Sequence, residues 1–122
     1  MGYPPILVYH RVHPDLSQDT PTVSPEVFDC QMEILSRRWN PIPLRELVHC
    51  LGQGTPLHRR AVVVTFDDGT EDTFTYAFPI LKRHRIPATV FLIANHIDYP
   101  ADLKLAQIRQ MADIPYIALS SI

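Results

Sequence analysis

Apolar and polar positions follow two rhythms along this chain. Three stretches are mainly apolar and β-rich: PILVYHRV from Pro5, AVVVTF from Ala61 and PATVFLIA from Pro87. Runs of this kind predict strands, and an unbroken run such as AVVVTF predicts one buried on both faces. Between them the apolar residues take helical spacing. Val27, Phe28, Met32, Leu35 and Trp39 mark one helix, opened by Ser24-Pro25-Glu26 as N-cap, first-turn proline and first-turn acid. A short extended piece is expected near NPIP. Leu44 to Leu51 reads as a second helix ended by Gly52 and Gly54. Thr73 to Arg85 reads as a third, with Phe74, Phe78 and Leu81 on one side and Pro79 bending it or lying in its first turns. Leu103 to Ala112 is the fourth, and Tyr116 to Leu119 a last short strand.

Strand and helix alternate, and the strands are mainly apolar. That predicts an α/β fold with mostly parallel strands. The chain has 122 residues, enough for a single domain over 1–122 with a real core, and no internal repeat or linker divides it. Hydrophobic residues make up 46% and charged residues 20%, as in ordinary globular proteins. Net charge is −2 and the basic residues are scattered, which argues against nucleic acid as a partner. Apolar runs are too short for a membrane span, and the first residues lack the pattern of a signal peptide. Cys30 and Cys50 have no CxxC spacing and read as core or half-buried thiols.

One stretch breaks the pattern. TFDDG, Thr65 to Gly69, ends the most apolar strand in two carboxylates. In parallel α/β folds ligands meet the C-terminal ends of strands. His10 closes the first strand, and Asn95 and His96 follow the PATVFLIA strand, so imidazole, carboxylate and amide groups are expected on one rim. Adjacent aspartates can divide labour, one holding a divalent metal and the other acting as general base on a water. The plainer alternative is that Asp67, Asp68 or Thr70 caps the following helix. His10 could likewise be a hydrogen-bonded histidine near the core. His13, His49, His58 and His84 read as loop or surface residues, and Met32 and Met111 as helix core.

TFDDG after a Val-rich strand, followed by a helix and IPATVFLI, resembles the polysaccharide deacetylase family (NodB homology, carbohydrate esterase family 4). ILVYHRV, SPEVFDCQMEIL, IPLRELV, AFPILKRHRIPATVFL and the IRQMAD helix stand in the order which that family uses. The resemblance implies a distorted (β/α) barrel, of which this chain would supply about the first half, the N-terminal part of the domain. It implies metal-dependent hydrolysis of acetyl groups on a sugar, with Asp67 as general base and Asp68 as metal ligand, the metal being zinc by expectation. The early YHRV is similar to the branch acting on poly-N-acetylglucosamine, which makes His10 the candidate general acid.

The family's other two metal ligands come from an H-x-x-x-H motif after a strand. Here the matching strand is YIALSSI, and Ser121 or Ile122 stands where the first His is expected. The Arg-Pro-Tyr segment of the family is also missing. Two alternatives therefore stay open: a non-catalytic homologue that binds carbohydrate or protein, and a hydrolase of other C–N bonds, cyclic amides included. The expected partner is an N-acetylated polysaccharide or oligosaccharide. Self-association through exposed sheet edges is expected as well. The resemblance points to the cell envelope or the exterior; the residues themselves fix no compartment.

Overall fold

The computed structural model describes residues 3–121. The first apolar run does not stay one strand. It forms β1 (Ile6–Tyr9), breaks at His10 and resumes as the two-residue β2 (Arg11–Val12), which pairs with β3 (Thr22–Val23). Helix α1 (Pro25–Arg38) begins as its sequence predicts: the Ser24 hydroxyl accepts the Val27 N–H at 3.2 Å, and Pro25 stands in the first turn. Phe28, Met32 and Leu35 face the core, whereas Val27 and Trp39 are exposed, so the buried stripe is narrower than the sequence suggests. After β4 (Asn40–Pro41) comes α2 (Leu44–Gln53), which runs through Gly52 and closes on Gly54 at φ 67°.

All six residues of β5 (Ala61–Phe66) are buried, as a strand covered on both faces requires. The expected helix from Thr73 starts differently. Thr73–Ala77 is a π-type turn, and the α-helix α3 spans only Phe78–His84. Pro79 explains much of this. It has no N–H to donate, so the ladder shifts around it, and the Phe78 N–H reaches back to the Thr73 carbonyl. Strand β6 (Ala88–Leu92), a short 3₁₀ turn at Ala94–His96, α4 (Leu105–Ala112) and β7 (Ile117–Ser121) complete the order. Both α4 and β7 begin later than the sequence pattern suggests, at Leu105 and Ile117. The Asp98 carboxylate accepts the Leu105 N–H at 2.9 Å, which marks the true start of α4.

The main sheet runs β1-β5-β6-β7, with β4 alongside the start of β5, and every pairing is parallel. Alternation along the strands sends side chains to two faces. Val62, Val64 and Phe66 of β5 and Ala88, Val90 and Leu92 of β6 join Phe28, Met32, Phe78, Leu81 and Met111 in the principal core under α1, α3 and α4. Ala61 and Val63 face the other way and meet Ile42 of the β4–α2 link and Leu47 of α2. This second face is covered only at its lower end. On β1 its residues Ile6 and Val8 are 47% and 52% exposed.

Cys50 is buried and Cys30 is exposed, so only Cys50 is the core thiol that the sequence suggests. His84 is not a free surface residue either: its ring Nε2 lies 2.6 Å from Asp29 of α1. No helix among the described residues is long and apolar enough to cross a membrane.

Candidate active site

Strand register brings the expected residues together. Tyr9 of β1 pairs with Phe66 of β5, so His10 and Asp67 come next to each other at the upper rim of the sheet. The Asp67 N–H donates to the Tyr9 carbonyl at 2.9 Å and is the last rung of that ladder. His10 and Asp67 both continue the incompletely covered face, by the two-residue period of their strands.

Beyond Asp67 the chain turns through two left-handed residues, Asp68 at φ 76° and Gly69 at φ 63°. Gly69 is favoured by its backbone angle; a Cβ there would meet only the Leu92 Cδ2 methyl closely, at 2.8 Å, the movable end of a side chain. A non-glycine residue in this region stores strain, and such strain concentrates at functional turns. The turn is held from outside. Leu103 donates its N–H to the Gly69 carbonyl at 3.0 Å, Glu71 donates to the Ala101 carbonyl at 2.9 Å, and Thr70 bridges Asp102.

The turn aims the Asp68 carboxylate at His10, with His10 Nδ1 and Asp68 Oδ2 3.7 Å apart. That is an ion-pair distance and too long for a hydrogen bond. Both side chains are part-exposed, at 34% for His10 and 47% for Asp68. Among the described residues no protein donor bonds the Asp67 carboxylate, which leaves its lone pairs open to solvent or substrate. The capping alternative does not hold: no side chain of Asp67, Asp68 or Thr70 accepts a helix N–H, and the contact to Thr73 comes from the Thr70 backbone carbonyl at 3.1 Å.

Other expected rim residues go elsewhere. His96 stacks on Tyr99 with ring centres 5.0 Å apart and lies 3.7 Å from Asp102, so it is engaged within the loop before α4. Ser121 is at the exposed end of β7, and Ile122 lies outside the described residues. Sequence reasoning passed over Asp72 and Arg11. Asp72 is only 4% exposed, and its carboxylate takes the Arg11 guanidinium at 3.0 and 3.2 Å and the Val12 N–H at 2.9 Å. The available signal was an acid four residues after Asp68, facing an arginine directly after His10.

Paired parallel strand ends carrying His10, Asp67 and Asp68 match the arrangement expected from the TFDDG motif, and the family model for polysaccharide deacetylase matches residues 54–118. The chain belongs to the polysaccharide deacetylase family. Its fold is close to that of solved deacetylases. IcaB from Ammonifex degensii superimposes with a TM-score of 0.87 at 27% identity, over 98% of this chain and 53% of that one. The Streptococcus pyogenes deacetylase PplD, solved in complex with acetate, gives 0.82 at 26% identity, over 97% and 54%. Among sequence relatives, the poly-beta-1,6-N-acetyl-D-glucosamine N-deacetylase of Escherichia coli is 32% identical over 80 residues, 66% of this chain and 12% of that protein. YxkH of Bacillus subtilis is 30% identical over 109 residues, 88% of this chain and 38% of that protein. The chain thus spans about half of the solved deacetylases and less of these sequence relatives. It corresponds to a partial (β/α) barrel with mostly parallel strands.

Polysaccharide deacetylases generally depend on a metal. A catalytic zinc site uses three protein ligands and an open position. Among the described residues no group of three or more His, Cys, Asp or Glu side chains could hold a metal ion. Asp68 offers one carboxylate with His10 beside it, so the residues on this rim do not by themselves fit a complete metal centre.

Proposed function

We propose that this chain forms the rim-bearing part of a carbohydrate deacetylase that removes N-acetyl groups from an amino-sugar polysaccharide. The observation that carries the reading is the meeting of His10, Asp67 and Asp68 at the ends of two adjacent parallel strands. In this reading Asp67 is the general base. Its carboxylate takes a proton from a water, whose oxygen adds to the acetamide carbonyl carbon. His10, in its protonated form, delivers a proton to the sugar nitrogen as the C–N bond breaks. Acetic acid and the free amine leave; the acid gives up its remaining proton to become acetate, Asp67 releases the proton it took and His10 regains one from solvent, so atoms and charge balance. Asp68 turns its carboxylate toward the same space, where it would contribute one ligand to a divalent cation, zinc by expectation. Poly-N-acetylglucosamine is the favoured substrate, because the Escherichia coli relative bears that activity in its name.

The test is acetate release from a β-1,6-linked N-acetylglucosamine oligosaccharide, with and without added zinc. Asp67→Asn should lower the rate by about 10²–10⁴-fold, the usual contribution of a positioned general base. Measurable release by the parent chain that is lost in the variant supports the reading. Equal rates in both would remove Asp67 from the role of base. A protein that binds the oligosaccharide without releasing acetate would favour a carbohydrate-binding homologue.

A further inference from the structure

His10 and Asp68 face each other at 3.7 Å with no hydrogen bond between them. Two fastenings lie on either side of that gap. Below it is the last β1–β5 rung, Asp67 N–H to Tyr9 carbonyl at 2.9 Å. Beyond it is Asp72, which binds the two residues that follow His10. Its Oδ1 accepts from Arg11 Nε at 3.2 Å and Nη2 at 3.0 Å, and its Oδ2 accepts the Val12 N–H at 2.9 Å. The remaining arm of the guanidinium donates from Nη1 to Gln18 at 2.8 Å.

Asp72 is the one buried acidic residue among the described residues. A buried carboxylate is costly unless paired and fully hydrogen-bonded, and this one engages both oxygens. Its position gives that cost a consequence. Asp72 follows Asp68 by four residues, across a turn with two left-handed residues, and Arg11 follows His10 by one. Such a turn keeps its shape only where its surroundings over-determine it.

We infer that Arg11 and Asp72 are positioning residues for the proposed reaction: their ion pair fixes His10 opposite Asp67 and Asp68 by clamping the chain after the histidine to the chain after the aspartates. The pair touches no reacting atom. It acts through the spacing of His10 from the carboxylates. A charge alone does not suffice, because the guanidinium spans Asp72 and Gln18 at once with donors at fixed angles. This inference rests on the catalytic reading of His10, Asp67 and Asp68, but its test reads geometry, so the absence of deacetylation would leave it independently decided.

The experiment is solution NMR on the whole chain, comparing it with Arg11→Lys and Asp72→Asn. The expected result is loss of the nuclear Overhauser contact between the His10 ring and the Asp68 β protons. Backbone signals of Asp67–Gly69 should move, while Val62–Phe66 and Ala88–Leu92 keep theirs. A pair that served stability alone would lower the unfolding midpoint and leave that contact intact in the folded protein; this outcome overturns the inference. Should both variants fail to fold, amide exchange in the unmodified chain decides. The Val12 amide, bonded to Asp72, should be protected to within about tenfold of the Asp67 amide, as one cooperative unit requires. Val12 exchange faster than that would show the clamp opening while the strand ends stay closed, and would overturn it.

Discussion

Asp68 holds a backbone angle that most side chains avoid, and the site depends on it. Its φ of 76° turns the carboxylate toward His10, and Gly69 at 63° completes the turn against Leu92. Replacing Gly69 with Ala puts a Cβ at a left-handed backbone angle while the Leu92 methyl can move aside, and should cost about 1–2 kcal/mol in urea unfolding, from the angle. Asp68→Gly should do the reverse, keeping stability or raising it by up to about 1 kcal/mol as backbone strain is relieved, while any divalent-cation binding at the rim is lost. A chain destabilised by Asp68→Gly would show that the left-handed turn is not strained. Tyr9 makes a separate residue-scale prediction. Its hydroxyl donates to Gln31 at 2.6 Å, and burial pushes its pKa from 10.0 up to about 12. The folded state therefore holds this proton more tightly than the unfolded chain does. That contribution to stability is complete below pH 10 and is lost as pH rises toward 12. A denaturation midpoint that falls over this window in the parent chain, and falls less in Tyr9→Phe, is the expected outcome.

At the scale of elements, the helices are set by local signals and placed by packing. Helix α1 has Ser24 at its N-cap, Glu26 in its first turn and Arg37 and Arg38 in its last, all of which suit the helix dipole. Ser24→Ala removes the acceptor for Val27 N–H and should cost about 1 kcal/mol by chemical denaturation, with no change in the folded spectrum. Asp29 of α1 then meets Arg83 and His84 of α3 at 3.2 and 2.6 Å, a contact that joins two helices adjacent on one face of the sheet. The π-type turn at Thr73–Ala77 follows the DDG turn directly and ends where Pro79 enters α3. It lets the chain pass from a strained strand end into a helix without Asp67 or Asp68 serving as its cap.

Across the whole molecule the two faces of the sheet are unequal. The principal core lies under three helices, whereas the face that carries His10 and Asp67 is covered by α2 only at its lower end. Val64→Ala, at a site 1% exposed, should cost about 2–3 kcal/mol, and Val8→Ala, at 52% exposed, under about 1 kcal/mol. Similar costs at both sites would show that the second face is covered in solution. The covered face was the more legible one. β5 and β6 appear as unbroken apolar runs, and α1 carries its cap and its buried Phe28, Met32 and Leu35 in plain spacing. Less legible were Val27 and Trp39, which share the apolar character of α1 but point to solvent, because composition cannot say how wide a stripe the neighbouring helix covers.

The sequence by itself determined the alternation of strands and helices, the parallel sheet and the family, because those follow from local period and from the residues of one motif. It also placed His10, Asp67 and Asp68 at strand ends, since strand ends are local. Only the tertiary structure decided that these ends are neighbours, through the Tyr9–Phe66 register, and that His10 stands in a break between β1 and β2. It alone revealed Arg11 and Asp72, whose partnership joins residues 61 positions apart. An ion pair across that separation leaves no period in the chain; it exists only once two strand ends are brought side by side.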